Sequence, residues 1–270
     1  MENDDKPIFE FSDLQKVEDK LDEVLPSHSF TGILVAPRGG GKTHLTTYFT
    51  HLLNQKRKYT SAFLFSQTAK VQEDAYQFIP NQNKFTNLDN LEQLLEMQYN
   101  LIAKNKKKGK NIKKVRSTML IILDDIITDA QFKKSNKTLA DIFVLGRHYK
   151  DNLGSLVDVL ILSQNFTSIP SLFRKNSNYL LHGRLDGYQD RKMIIESYLS
   201  ATNTRKQGYG FVKALNKTPY AFLFIYHTKS NKLSMTDYAY SFLAPAKLPK
   251  FKIGSKRQWE LSRKTALKDN

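Results

Sequence analysis

The chain has 270 residues, room for one large or two small cores, and its 40% hydrophobic and 25% charged residues are the balance of an ordinary globule. No apolar run reaches the length of a membrane span, the start MENDDKPIFEF is acidic where a secretory leader would be basic, and no cysteine exists for a disulfide or a thiolate metal site. The net charge of +16 is concentrated in two stretches: Lys104–Arg116 holds eight basic residues and no acidic one, and Lys247–Lys268 holds eight against Glu260 alone. Such clusters either form solvated segments or touch a polyanion, and their density favours the polyanion.

In chain order, Asp13–Leu25 carries Leu14, Val17, Leu21, Val24 and Leu25 at helical spacing, with Pro26 after its end. Ser29–Ala36 reads as a buried strand and Lys42–Leu53 as a helix with Leu45, Tyr48, Phe49, Leu52 and Leu53 inward. Ser61–Ser66 is a second strand; helical spacing recurs in the seventies and from Leu88 to Ala103. Met119–Leu123 is a third strand, Leu139–Tyr149 a helix, Val157–Ser163 a fourth strand and Asn178–His182 a fifth. Gly210–Leu215 and Tyr220–Tyr226, separated by Asn216–Pro219, read as a late strand pair. Strands alternating with helices predict an α/β fold with a mostly parallel sheet covered on both faces.

Between the first strand and its helix stands Ala36-Pro37-Arg38-Gly39-Gly40-Gly41-Lys42-Thr43. Glycines bare the backbone so that N–H groups of the turn and the helix N-terminus can point at phosphate oxygens. Lys42 can reach the β- and γ-phosphates of ATP, and the Thr43 hydroxyl can ligate Mg²⁺. Ala36 departs from the strict pattern, which begins with glycine. "MLIILDDI" places Asp124 and Asp125 at the carboxyl end of a strand, where open α/β sheets bind ligands. Asp124 suits the Mg²⁺ shell, and Asp125 suits orientation or deprotonation of the attacking water. Gln164 ends the next apolar strand, where a neutral amide can both donate to a phosphate oxygen and accept from that water. No Asn-Lys-x-Asp sequence is present to read guanine.

The order of phosphate loop, apolar-DD, "GRH" (146–148), "LILSQ" (160–164) and "IPSLFRKN" (169–176) resembles the FtsK–HerA superfamily. Within it the pattern is similar to the viral genome-packaging ATPases of poxviruses, other large DNA viruses and their satellite viruses. The resemblance covers roughly residues 30–184. It implies a P-loop, RecA-like ATPase that binds ATP and Mg²⁺ and works as a homo-oligomeric, hexameric ring drawing double-stranded DNA through a central pore. It also implies that Arg147 reaches a neighbouring subunit's site, that Gln164 is a sensor, and that Arg174 is a second basic residue near the subunit boundary. Without the resemblance, Arg147 reads as a solvated helix charge; His148 reads as a packing residue. Asp125 stands where the family often has Glu, and 151–156 lengthens the connection that follows GRH. The implied organisation is an acidic N-terminal helical segment (1–28), a RecA-like domain (29–245) with a basic insert (104–116), and a basic C-terminal tail (246–270). A capsid or vertex protein is the implied docking partner, and the host cytoplasm or viral factory, with virion association, the implied place. Membrane insertion and secretion are not expected. The alternatives are another RecA-like or AAA-type nucleic-acid motor, such as a helicase or DNA-transfer pump, and a non-hydrolysing nucleotide-dependent DNA-binding protein.

Overall fold

The computed structural model describes residues 11–26, 29–68, 75–108, 118–126, 128–133, 136–148, 156–200, 204–229 and 232–266. Eight strands form one sheet: β1 (Thr31–Val35), β2 (Ser61–Ser66), β3 (Lys84–Phe85), β4 (Met119–Asp124), β5 (Val157–Ser163), β6 (Tyr179–His182), β7 (Phe222–Tyr226) and β8 (Ala239–Phe242). Their spatial order is β3-β2-β4-β5-β1-β6-β7-β8; β6–β7 and β7–β8 pair antiparallel and every other pair is parallel. The fold is therefore the mostly parallel, P-loop α/β architecture that the alternating pattern and the resemblance imply.

The central strands read as unbroken apolar runs because both faces are buried. Ile33, Val35, Ile121, Leu123, Val159 and Ile161 face one way. There they meet α3 (Leu91–Lys107), α4 (Ala130–Lys133), α5 (Lys137–Leu145), α6 (Ser171–Asn176), α7 (Tyr188–Ile194) and α8 (Arg205–Leu215). Leu34, Leu120, Ile122, Leu160 and Leu162 face the other way, toward α2 (Lys42–Arg57). Leu45, Phe49, Leu52 and Leu53 of α2 are buried as their spacing predicts, while Tyr48 is half-buried beside Phe242.

Several local readings change. Asp13–Leu25 is not one helix: two short 3₁₀ turns, Phe11–Asp13 and Val17–Lys20, precede a single α turn at Leu21–Val24. Between the 3₁₀ turns the backbone pairs with the sheet edge, where Ser241 N donates to Gln15 O at 2.9 Å. That edge bond outcompetes helical continuity. Gly210–Leu215 is not a strand but the end of α8, started by a capping box in which Thr204 and Gln207 satisfy each other's backbone amides. Gly208, inside α8, is small because a Cβ there would lie 2.6 Å from Ile195. The partners of β7 are instead β6 and β8, the latter short and mixed in polarity. The helix expected at 139–149 gives way to a 3₁₀ turn at Gly146–His148, where Gly146 has φ +51°, and His148 is exposed rather than packed. Of the helical spacing in the seventies, residues 69–74 lie outside the described residues and 75–78 form a turn. Among the described residues no helix is long and apolar enough to cross a membrane.

Candidate active site

Three turns meet because β4, β5 and β1 are neighbours in the sheet. The phosphate loop leaves β1, Asp124 and Asp125 end β4, and Gln164 follows β5. They line a cleft of about 710 Å³ that contains Arg38, Lys42, Thr43, Asp124, Asp125 and Gln164. Pro37, Gly39 and Gly41 line it too, while Ala36 lies buried behind the loop, its N–H donating to Ser163 O at 3.2 Å. Gly39 (φ +75°) and Gly41 (φ +83°) occupy the left-handed region that side chains resist. At Gly40, a Cβ would lie 3.0 Å from Pro37 O. The run of three glycines is thus required by the turn itself.

Lys42 is only 9% exposed, and its Nζ lies 2.7 Å from Asp125 Oδ1 and 3.5 Å from Asp124 Oδ1. These are ion pairs by distance without hydrogen-bond geometry. The ammonium offsets the charge of both carboxylates, with Lys42 and Asp124 buried and the Asp125 side chain 35% exposed. Asp125 has φ +49°, an uncommon conformation for a residue with a Cβ, fixed by its N–H donating to Leu162 O at 3.1 Å. Its Oδ2 accepts from Gln164 Nε2 at 3.1 Å. The sheet order therefore brings Lys42, Asp125 and Gln164 into one contiguous polar chain.

Asp124 is 5% exposed, and burial pushes its carboxyl above the ordinary carboxylate range, with the Lys42 charge opposing. Oδ2 accepts a 2.7 Å hydrogen bond from the Tyr76 hydroxyl, whereas Oδ1 has no hydrogen-bond donor among the described residues. A buried carboxylate oxygen without a hydrogen-bond donor, in a cleft that Thr43 also lines, supplies the hard-oxygen chemistry that fits Mg²⁺ arriving with phosphate oxygens and water. Among the described residues no group of three His, Cys, Asp or Glu forms a self-sufficient metal cage.

Arg147 lies in the 3₁₀ turn after α5. Arg174 lines a different cavity of about 290 Å³, with its guanidinium 5.3 Å from the Phe166 ring centre and against Met193. The structure does not bring Arg174 to the cleft of its own chain. Sequence reading passed over Tyr76, Ser66, Gln67 and Tyr220. Ser66 and Gln67 line the cleft from the end of β2, and Tyr220 stands against Gly41. The end of β2 was recognisable as a strand end; that it flanks β4 was not.

The family model described as Poxvirus A32 protein matches residues 19–227. No curated protein sequence is significantly similar to this chain. Among solved structures, the genome packaging NTPase B204 from Sulfolobus turreted icosahedral virus 2 is similar at 16% identity and TM-score 0.52 in its AMPPCP complex. In its ATPγS complex the values are 15% and 0.51, and both alignments cover 75% of this chain and 94% of that one. The pCW3 conjugation coupling protein TcpA with ATPγS is similar at 12% identity and TM-score 0.52, over 90% of this chain and 66% of that one. At these identities the likeness is one of fold.

Proposed function

The chain belongs to the poxvirus A32 protein family, and from that premise we propose that it is an ATPase motor that packages a viral genome by translocating double-stranded DNA. The observation that carries this reading is the convergence of Lys42, Thr43, Asp124, Asp125 and Gln164 on one cleft. B204, similar in fold, is described as a genome packaging NTPase, and the GRH and IPxxxRxN elements point the same way.

In this mechanism the amides of the phosphate loop and Lys42 bind the β- and γ-phosphates of ATP. Thr43 and Asp124 would hold Mg²⁺, which would supply neutralisation of phosphate charge. Asp125 accepts a proton from water as the water oxygen bonds to the γ-phosphorus and the bond to the ADP oxygen breaks. Gln164, whose amide nitrogen already donates to Asp125, keeps its carbonyl oxygen to accept from the same water. Arg147 serves a neighbouring subunit in a hexameric ring; the contacts of Arg174 with Phe166 and Met193 in its own chain favour Arg147 over it. Lys104–Arg116 and the C-terminal basic segment contact DNA phosphates, with the C-terminal segment also suited to a capsid vertex protein in a viral factory.

The test is Mg²⁺-dependent ATP hydrolysis by the full chain with and without duplex DNA. Asp125→Asn should keep ATP binding and lose about 10²–10⁴ in turnover. A wild-type chain with no hydrolysis under either condition would sink the motor reading. Stimulation by single strands but not duplex would move it to a helicase.

A further inference from the structure

Tyr76 sits in the turn after β2 with φ +56°, yet it is a large side chain buried to 3% exposure. The left-handed region is unfavourable for such a residue, and it persists only where surrounding contacts over-determine it. The ring needs no hydroxyl to fill its place, for it packs edge-on to Phe78 at 6.0 Å. The hydroxyl nevertheless donates to Asp124 Oδ2, on one of the two side chains suited to Mg²⁺. By occupying Oδ2 it fixes the carboxylate plane and leaves Oδ1, which faces Lys42 Nζ at 3.5 Å without a hydrogen bond, as the oxygen turned to the ligand.

What over-determines the turn is the C-terminal basic segment. Pro245 O meets His44 Nε2 at 2.9 Å on α2. Phe251 packs 5.1 Å from His51 and stacks on Phe78 at 4.7 Å and 16°. Ile253, 1% exposed, donates its N–H to Phe78 O at 3.0 Å. Gly254 turns the chain at φ +116° into α9 (Lys256–Ala266), where Ser262 Oγ accepts from Asn81 N and Gln258 O from Gln82 Nε2. Lys247, Lys250, Lys252, Lys256, Arg257 and Arg263 meanwhile remain exposed on the outer side. The segment grips the 76–83 turn from outside while Tyr76 reaches the cleft from inside.

We propose that Tyr76 is a positioning residue that orients Asp124 for metal–nucleotide binding, and that the C-terminal segment is the brace that holds it there. This rests on the hydrolytic reading of the cleft and deepens it, because it links the basic segment to the carboxylate at the reaction centre.

The test uses the full chain, Mn²⁺ as a spin probe and AMPPCP as a non-hydrolysable nucleotide. Tyr76→Phe keeps the ring and removes the donor, so the Mn²⁺ midpoint should rise about 10-fold while nucleotide affinity in EDTA is unchanged. Phe251→Ala, remote from the cleft, should raise the same midpoint and add little to Tyr76→Phe in the double variant. A Tyr76→Phe midpoint at the wild-type value, or no Mn²⁺ binding by the wild type, overturns the positioning role. A wild-type midpoint in Phe251→Ala, or full additivity of the two shifts, overturns the brace. Should Tyr76→Phe fail to fold, Phe251→Ala decides by the same midpoint, since it leaves the hydroxyl present and unbraced. The midpoint is read without hydrolysis, so a chain inactive as an ATPase would sink the motor reading separately.

Discussion

Asp158, at the amino-terminal edge of the sheet, and Asp124, at its carboxyl-terminal edge, are similarly buried and differently satisfied. Asp158 is 0% exposed, and each of its oxygens accepts two bonds. Oδ1 takes the Phe30 amide and an Arg57 nitrogen at 3.0 Å each, while Oδ2 takes Arg57 Nε at 2.8 Å and the Tyr59 hydroxyl at 2.7 Å. It ties the end of α2 to the start of β1 and leaves nothing open to a ligand. Asp124 has one donated bond, at Oδ2, while Oδ1 has only the Lys42 ammonium at 3.5 Å and no hydrogen bond among the described residues. A fully saturated buried carboxylate locks the fold; an unsaturated one at the ligand-binding end stores capacity for a partner. Removing either charge should therefore do opposite things.

The largest expected effect is on Asp158. Asp158→Ala takes the carboxylate away from the Arg57 guanidinium and the Tyr59 hydroxyl, and breaking such a buried pair costs about 3–5 kcal/mol. Asp124→Asn removes a poorly satisfied charge, so it should leave unfolding free energy unchanged or raise it while hydrolysis fails. Urea unfolding of both variants checks this. Equal destabilisation of the two would break the distinction between a locking and a storing carboxylate.

His182 sharpens the comparison, because it is a buried titratable group at the ligand end whose hydrogen bond, Nδ1 to Gly183 O at 3.1 Å, stays within its own turn. It ends β6 opposite Val35, is 0% exposed, and has its Nε2 unpartnered among the described residues. Burial lowers its pKa from 6.5 to about 4. The folded state thus prefers the neutral ring. Its contribution is fully present above pH 6.5 and is lost as pH falls from 6.5 toward 4. From the shift this amounts to about 3 kcal/mol. His182→Gln removes the group, so the difference in stability between variant and wild type should change across that window and be flat above pH 7. A constant difference from pH 7 to 4 would mean that the ring protonates in place.

Both aspartates could be seen in the sequence, but only one could be assigned. Asp124 follows five apolar residues and ends a strand, a position with chemical meaning on its own. Asp158 lies inside "VDVLILS", and its partners come from Phe30, Arg57 and Tyr59, remote in the chain. The same limit hid Tyr76, whose partner is 48 residues away. The central strands were legible because burial on both faces makes them continuously apolar. β3 and β8 were not, being short edge pieces stabilised by their neighbours rather than by pattern. The phosphate loop was legible for a local reason, since its glycines answer to the φ values of the turn itself.

The smallest effect concerns a polar pair that neither locks the core nor faces the cleft. Thr204 accepts from Gln207 N at 3.3 Å, and Gln207 Oε1 accepts from Thr204 N at 2.8 Å, both exposed. This capping box was readable in "TNTRKQ", and weighing it above the glycines that follow would have identified α8 correctly. Thr204→Ala should cost about 1 kcal/mol, the usual value of an N-cap. It should leave ATPase activity at the wild-type level, because α8 packs through Phe211, Val212 and Leu215 on the sheet face away from α2. A loss of hydrolysis without a matching loss of stability would mean that α8 communicates with the cleft. The separation between saturated groups that hold the fold and open groups that await a ligand would then fail at its simplest case.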